Sequence, residues 1–108
     1  MTKTMTQSLQ IPAFGFSDDM DCTGLFELRR ELKQQVPDLT VLPFFMKALS
    51  LAMIKFPEIN SIVNPEVDSE GYIQEYVVKH DHNFSVAIDS PLGLTTPNIK
   101  RVQEQSIL

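Results

Sequence analysis

His80-Asp81-His82 sets two imidazoles on one side of any extended segment, and metal ligation is the chemistry that spacing suggests. A zinc site takes three or four protein ligands, and no third partner is evident. The pair therefore reads as hydrogen-bonded surface or strand-end histidines, with no metal expected. Cys22 stands just before a helical pattern, where a helix dipole can lower a thiol pKa. Lacking a CxxC or any companion motif, it reads as inert. Asp18, Asp19 and Asp21 lack the spacing, the Gly and the distal Glu of a calcium loop, and read as a solvated acidic turn. The 4 Gly are isolated, so no glycine-rich phosphate loop can be written. Two candidates remain. Arg29, Arg30 and Lys33 gather positive charge that can hold a phosphate, or that simply solvates a helix end. Asp89 stands at a strand end beside the small residues Ser85 and Ala87, which leave room for an approaching ligand. It equally suits the cap of the Ser90-Pro91 turn.

The elements that must position these groups follow from periodicity. Phe14 and Phe16 alternate after Pro12, which predicts a short strand. Leu25, Leu28 and Leu32 recur at helical spacing and predict a helix over 23–35, with Asp21 or Thr23 as its N-cap and Val36-Pro37 as its stop. A second helix is expected over 43–56, between Pro43 and Pro57. Its polar residues Lys47, Ser50 and Lys55 form one narrow arc, so most of it should be buried. Strands are predicted over 60–64, 72–79 and 84–89, with a turn over 65–71. Ser90-Pro91-Leu92-Gly93 matches a type I turn, and 94–102 returns as an extended piece interrupted by Pro97. The class is α+β, with two helices preceding most strands of a mixed sheet.

A length of 108 residues suits one small domain, and 43% hydrophobic residues exclude a disordered tail. A single Cys excludes a disulfide framework. A net charge of −5 argues against nucleic-acid binding through summed positive charge. The most apolar stretch, 41–56, carries two lysines and falls short of the roughly 20 residues of a membrane span, so no membrane insertion is expected. Residues 1–10 lack the apolar run of a secretory signal, which favours a reducing compartment.

Taken in order, several segments resemble the catalytic domain of the dihydrolipoyl acyltransferases of the 2-oxoacid dehydrogenase complexes. They are Met1-Thr-Lys-Thr-Met-Thr-Gln-Ser-Leu-Gln-Ile-Pro, Phe14-Gly-Phe-Ser-Asp-Asp-Met-Asp, Leu28-Arg-Arg-Glu-Leu-Lys and Leu42-Pro-Phe-Phe-Met-Lys-Ala. Phe56-Pro57 with Asn60, Val86-Ala-Ile-Asp, Gly93-Leu-Thr-Thr-Pro-Asn and Ile99-Lys-Arg-Val continue the series. The Phe-Gly-aromatic segment, Pro43-Phe44-Phe45 and Asp89 make the resemblance strongest to the branched-chain type.

The resemblance implies a chloramphenicol-acetyltransferase-like fold, assembled as trimers within a larger core in the mitochondrial matrix. It implies transfer of a branched-chain acyl group from dihydrolipoamide to coenzyme A. The lipoyl group would be carried on a separate domain, beside decarboxylase and dihydrolipoamide dehydrogenase components. Three coenzyme A contacts carry over: Arg29, Thr40 (where the family has Ser) and Asp89. Two departures accompany them: the stretch between Arg29 and Thr40 is shorter than in relatives, and Ala13 replaces a common His. The resemblance also implies that residues 1–108 are the N-terminal portion of the catalytic domain, cut about halfway. The family's His-x-x-x-Asp-Gly base and its oxyanion Ser cannot be written in this chain. No catalytic residue is therefore expected in it, and this portion alone should be inactive. The alternative is a non-catalytic assembly module that associates with full-length subunits.

Overall fold

The computed structural model describes residues 1–108. Three helices come first: α1 (Thr2–Ser8), α2 (Thr23–Leu32) and α3 (Leu42–Lys55). Six short strands follow: β1 (Ser61–Val63), β2 (Tyr76–Val78), β3 (Phe84–Ser85), β4 (Ile88–Ser90), β5 (Gly93–Thr95) and β6 (Asn98–Ile99). 3₁₀ turns occupy Pro57–Asn60 and Val102–Glu104. The order is α+β as read from sequence, with α1 as an added helix. No helix is long and apolar enough to cross a membrane.

Both longer helices start where the sequence punctuates them. α3 opens with Pro43 in its first turn, where a missing N–H costs nothing, and stops before Pro57. α2 ends at Leu32 rather than at Gln35, because residues 33–36 tighten into successive turns. Its N-cap is Cys22 rather than Asp21 or Thr23. Asp21 instead accepts bonds from the Thr23 N–H at 3.0 Å and the Thr23 hydroxyl at 2.6 Å. The strand expected at Phe14–Phe16 does not form: the segment pairs with no strand, and both rings stand exposed.

The sheet is a set of antiparallel pairs. β1 pairs with β2, with Ser61 opposite Val78. The turn between them is built on Asp68, whose carboxylate accepts the Glu70 and Tyr72 N–H groups, while Gly71 takes a positive φ of 87°. β3 pairs with β6 and β4 with β5. These last two ladders share one register, from Phe84 opposite Ile99 to Ser90 opposite Gly93. The continuous strand expected over 84–89 breaks at Val86–Ala87 because Pro97, across from it, has no N–H to give. One bond spans the gap, from the Val86 N–H to the Pro97 carbonyl. Gly93 has φ +100° and Leu92 lies outside the positive-φ region. That combination agrees with a type I turn closed by a glycine bulge.

Little of the chain is covered. Six of 108 residues are buried: Leu39, Phe44, Ser50, Met53, His82 and Val102. The accessible surface is 9435 Å², where a compact chain of this mass exposes about 6,100 Å². The radius of gyration is 18.0 Å, against about 13 Å for a compact domain of this length. The expected burial of α3 is therefore not met within this chain. Leu49, Leu51, Ile54 and Phe56 are all exposed. Two of the three residues in the arc read as its polar face turn inward instead: Ser50 is fully buried and Lys47 reaches three backbone carbonyls, while Lys55 stays exposed.

Arg101 is the one non-glycine residue with positive φ, at φ 54° and ψ 50°. That conformation costs an ordinary side chain about 1–2 kcal/mol. Its guanidinium pairs with Glu104 and lies 4.0 Å from Asp81, exposed contacts of small worth. Asn tolerates this region, so Arg101→Asn is expected to leave the denaturation midpoint equal or raised. Arg101→Ala keeps the strain, loses the ion pairs and should lower it. The reverse order in urea titrations would show that the ion pairs outweigh the strain.

Candidate functional site

Arg29 lies in the last turn of α2, half-buried, and its Nε donates to the Leu39 carbonyl at 3.0 Å. This bond ties the guanidinium to the link between α2 and α3, at the residue before Thr40. One of five N–H donors is spent, and no carboxylate pairs with Arg29. The free fork suits a phosphate, which takes two parallel charge-assisted bonds. Thr40 is exposed, just before α3 begins. Arg29 is thus tied to the residue that precedes Thr40 in the chain.

Asp89 stands apart from them. It sits in β4 opposite Leu94, exposed, and makes no ion pair. The turn beside it is closed by Ser90, whose hydroxyl donates to the Gly93 carbonyl at 2.7 Å and accepts the Leu92 N–H. Asp89 therefore does not cap its turn, and its carboxylate is free for a ligand. No contact joins it to Arg29 or Thr40. Three clefts, of about 250, 540 and 440 Å³, open on the surface, and none is lined by Arg29, Thr40 or Asp89. The three candidate residues thus share no cleft: Arg29 and Thr40 flank the α2–α3 link, and Asp89 lies on the β4–β5 hairpin.

The two histidines do not share a side. His80 is exposed and hydrogen-bonded to Asp81 at 3.3 Å. His82 is buried, with Nδ1 2.6 Å from the Ser50 hydroxyl. Sequence reading did not pair His82 with Ser50. The available signal was Ser50 itself, the one hydroxyl in a mainly apolar helix, which needs a partner if it is buried.

Two carboxylates have lowered pKa values. The Thr23 hydroxyl and then the Thr23 N–H hold Asp21 below the ordinary 3.8. Asp81 is lowered first by the His80 hydrogen bond and also by the Arg101 charge. A carboxylate depressed on folding contributes stability that is fully present above its unfolded value and lost as pH falls through its folded value. Asp21→Asn is therefore expected to lower stability modestly at neutral pH, where the ionised carboxylate accepts the Thr23 bonds, and to flatten the further loss on acidification below 3.8. Denaturant midpoints for both proteins across that range measure it. Parallel curves would remove Asp21 from the account.

Comparison with known proteins follows the same division. The family model for 2-oxoacid dehydrogenases acyltransferase (catalytic domain) matches residues 1–108. The lipoamide acyltransferase component of the branched-chain alpha-keto acid dehydrogenase complex, mitochondrial, of Mus musculus is 42% identical over 111 residues. That match takes in 99% of this chain and 22% of the mouse protein. The Azotobacter vinelandii dihydrolipoamide acetyltransferase structure superposes with a TM-score of 0.81 at 28% identity. It covers 98% of this chain and 43% of its own. The cubic core of the pyruvate dehydrogenase multienzyme complex gives the same values. The chain therefore spans about a fifth of the mouse relative's length and less than half of each solved chain.

Proposed function

The chain belongs to the acyltransferase catalytic-domain family of the 2-oxoacid dehydrogenases, and from that premise we propose that it is the coenzyme A-binding portion of a branched-chain dihydrolipoamide acyltransferase. The reading is supported most by one observation: the Arg29 guanidinium is held on the α2–α3 link by a single bond to the Leu39 carbonyl, with no carboxylate to neutralise it. Arg29 would take coenzyme A phosphate oxygens, the Thr40 hydroxyl would add a neutral bond, and Asp89 would accept from a donor on the same ligand. Arg29 and Thr40 fit this task as placed. Asp89 fits it by being exposed and free.

Acyl transfer to coenzyme A needs a base to take the thiol proton and a donor to hold the oxyanion of the attacked thioester. Residues 1–108 contain no His-x-x-x-Asp-Gly sequence, and neither His80 nor His82 is followed by one. In this reading residues 1–108 are the N-terminal portion of the catalytic domain: they bind and orient coenzyme A, while proton transfer is done elsewhere in the acyltransferase. The working assembly would be a trimer within a larger core in the mitochondrial matrix, served by a lipoyl domain and by decarboxylase and dihydrolipoamide dehydrogenase components. Calorimetry of the purified chain with coenzyme A, beside a dihydrolipoamide acyl-transfer assay, tests it. Binding without turnover is expected; turnover, or no binding, defeats it.

A second reading is an assembly module that joins intact acyltransferase subunits without chemistry. It is favoured by the exposed apolar residues Leu49, Leu51 and Ile54 of α3 and by Phe56 just after it. Co-purification with a full-length family acyltransferase supports it, and a chain that stays separate opposes it.

A further inference from the structure

Ser50 and His82 form the only buried bond between two side chains, with Oγ and Nδ1 at 2.6 Å. Ser50 is 0% exposed and His82 6%. The direction of this bond follows from the donors available. The Ser50 hydroxyl has no acceptor other than His82 Nδ1, and a buried O–H left without one is costly. Ser50 therefore donates to Nδ1, and the neutral imidazole must carry its proton on Nε2.

The main chain of His82 is fixed as well. Its N–H donates to the Gln103 side-chain oxygen at 3.0 Å, and its carbonyl accepts the Val102 N–H at 2.9 Å. Lys47, one turn before Ser50 on α3, donates to the carbonyls of Val102, Gln103 and Gln105. Met53 and Val102 complete this knot, so most of the buried residues lie within it. The charged and titratable groups around it are Lys47 of α3, Lys79, His80 and Asp81 on the segment leading to His82, and Arg101 and Glu104 at the 3₁₀ turn.

The knot joins the helix that follows Thr40 to the segment that leads into the strands carrying Asp89. Thr40, with Arg29 bonded to the residue before it, leads into α3 at its N-terminal end, and Ser50 stands in the middle of that helix. His82 leads directly into β3 and then into β4, which carries Asp89. We infer that Ser50 and His82 are positioning residues for coenzyme A: a tautomer-locked latch that sets Asp89 relative to Arg29 and Thr40. This rests on the reading of those three residues as the coenzyme A site. Losing the latch lets the two segments drift, and a misplacement of about 1 Å can cost a site up to about 100-fold.

The test is carried out on the whole chain. Nitrogen-15 correlation spectra of the wild type should show His82 neutral with its proton on Nε2. Ser50→Ala should release the tautomer and weaken coenzyme A binding by about tenfold. His82→Asn places an amide oxygen where Nδ1 was, so it should keep most of the affinity, whereas His82→Ala should lose it. A wild-type proton on Nδ1 overturns the latch. So does Ser50→Ala with unchanged tautomer and affinity while Arg29→Ala loses binding. Absence of coenzyme A binding by the wild type instead overturns the site reading and the positioning role with it, and the spectra still decide the tautomer.

Discussion

Arg29→Ala is expected to weaken coenzyme A binding by about 10- to 150-fold. A hydrogen bond to a charged group is worth about 1.5–3 kcal/mol, and each 1.4 kcal/mol is tenfold in affinity. The guanidinium brings at least one such bond, plus a long-range attraction that salt screens. Arg30, its neighbour, is exposed on another face of α2 and makes no bond to the α2–α3 link. Arg30→Ala should therefore change affinity by less than about threefold, as rim charges do. Arg29→Lys keeps the charge but loses the planar fork and should fall between the two. Calorimetry at low and moderate salt measures all three. Equal losses for Arg29→Ala and Arg30→Ala would mean that the α2 end attracts phosphate only as a patch of charge.

The second large effect concerns stability. Phe44 is 9% exposed and belongs to a core of four apolar residues. Phe44→Ala removes a ring from that core at a typical cost of about 3–5 kcal/mol, a large share of the 5–15 kcal/mol that whole domains possess. Loss of the cooperative unfolding transition at 25 °C is the expected result. Leu51 lies on the same helix at 57% exposure, and Leu51→Ala should shift the midpoint by no more than about 0.5 kcal/mol. If subunits of the family cover α3, the order changes, and Leu51→Ala becomes costly only when they are present. Denaturant titrations with and without an intact acyltransferase separate these cases. An equal cost for both substitutions in the isolated chain would contradict the burial described above.

The sequence foretold best what is local. Pro43 and Pro57 bracket α3 within a residue, and Pro97 marks the break in the β3–β6 and β4–β5 ladders because a missing N–H acts on the spot. It foretold poorly what depends on distant partners. Ser50 and Lys47 read only as part of a narrow polar arc, since nothing near them in the chain announces His82 or the carbonyls of the Val102–Glu104 turn. The burial of α3 was overestimated for the opposite reason: an apolar helix states a demand for cover but not which chain supplies it. Among the candidate residues, Arg29 was legible as one of a basic cluster and Thr40 only through the resemblance, while the bond that fixes Arg29 to Leu39 belongs to the tertiary arrangement. Asp89 was legible as a strand-end carboxylate, but its separation from Arg29 belongs to the tertiary arrangement.

The antiparallel pairing has one more consequence. Because each ladder has two strands, every strand has one row of N–H and C=O groups without a neighbour. Such rows are templates for a foreign strand, and proteins usually blunt them with prolines, lysines or bulges. Here Pro91 and Pro97 interrupt the β4–β6 side, while Tyr76, Val77 and Val78 of β2 are all exposed. At high concentration β2 is the segment through which copies of this chain should stick to one another. A charge introduced at Val77 should keep the protein dispersed without touching its ligand contacts.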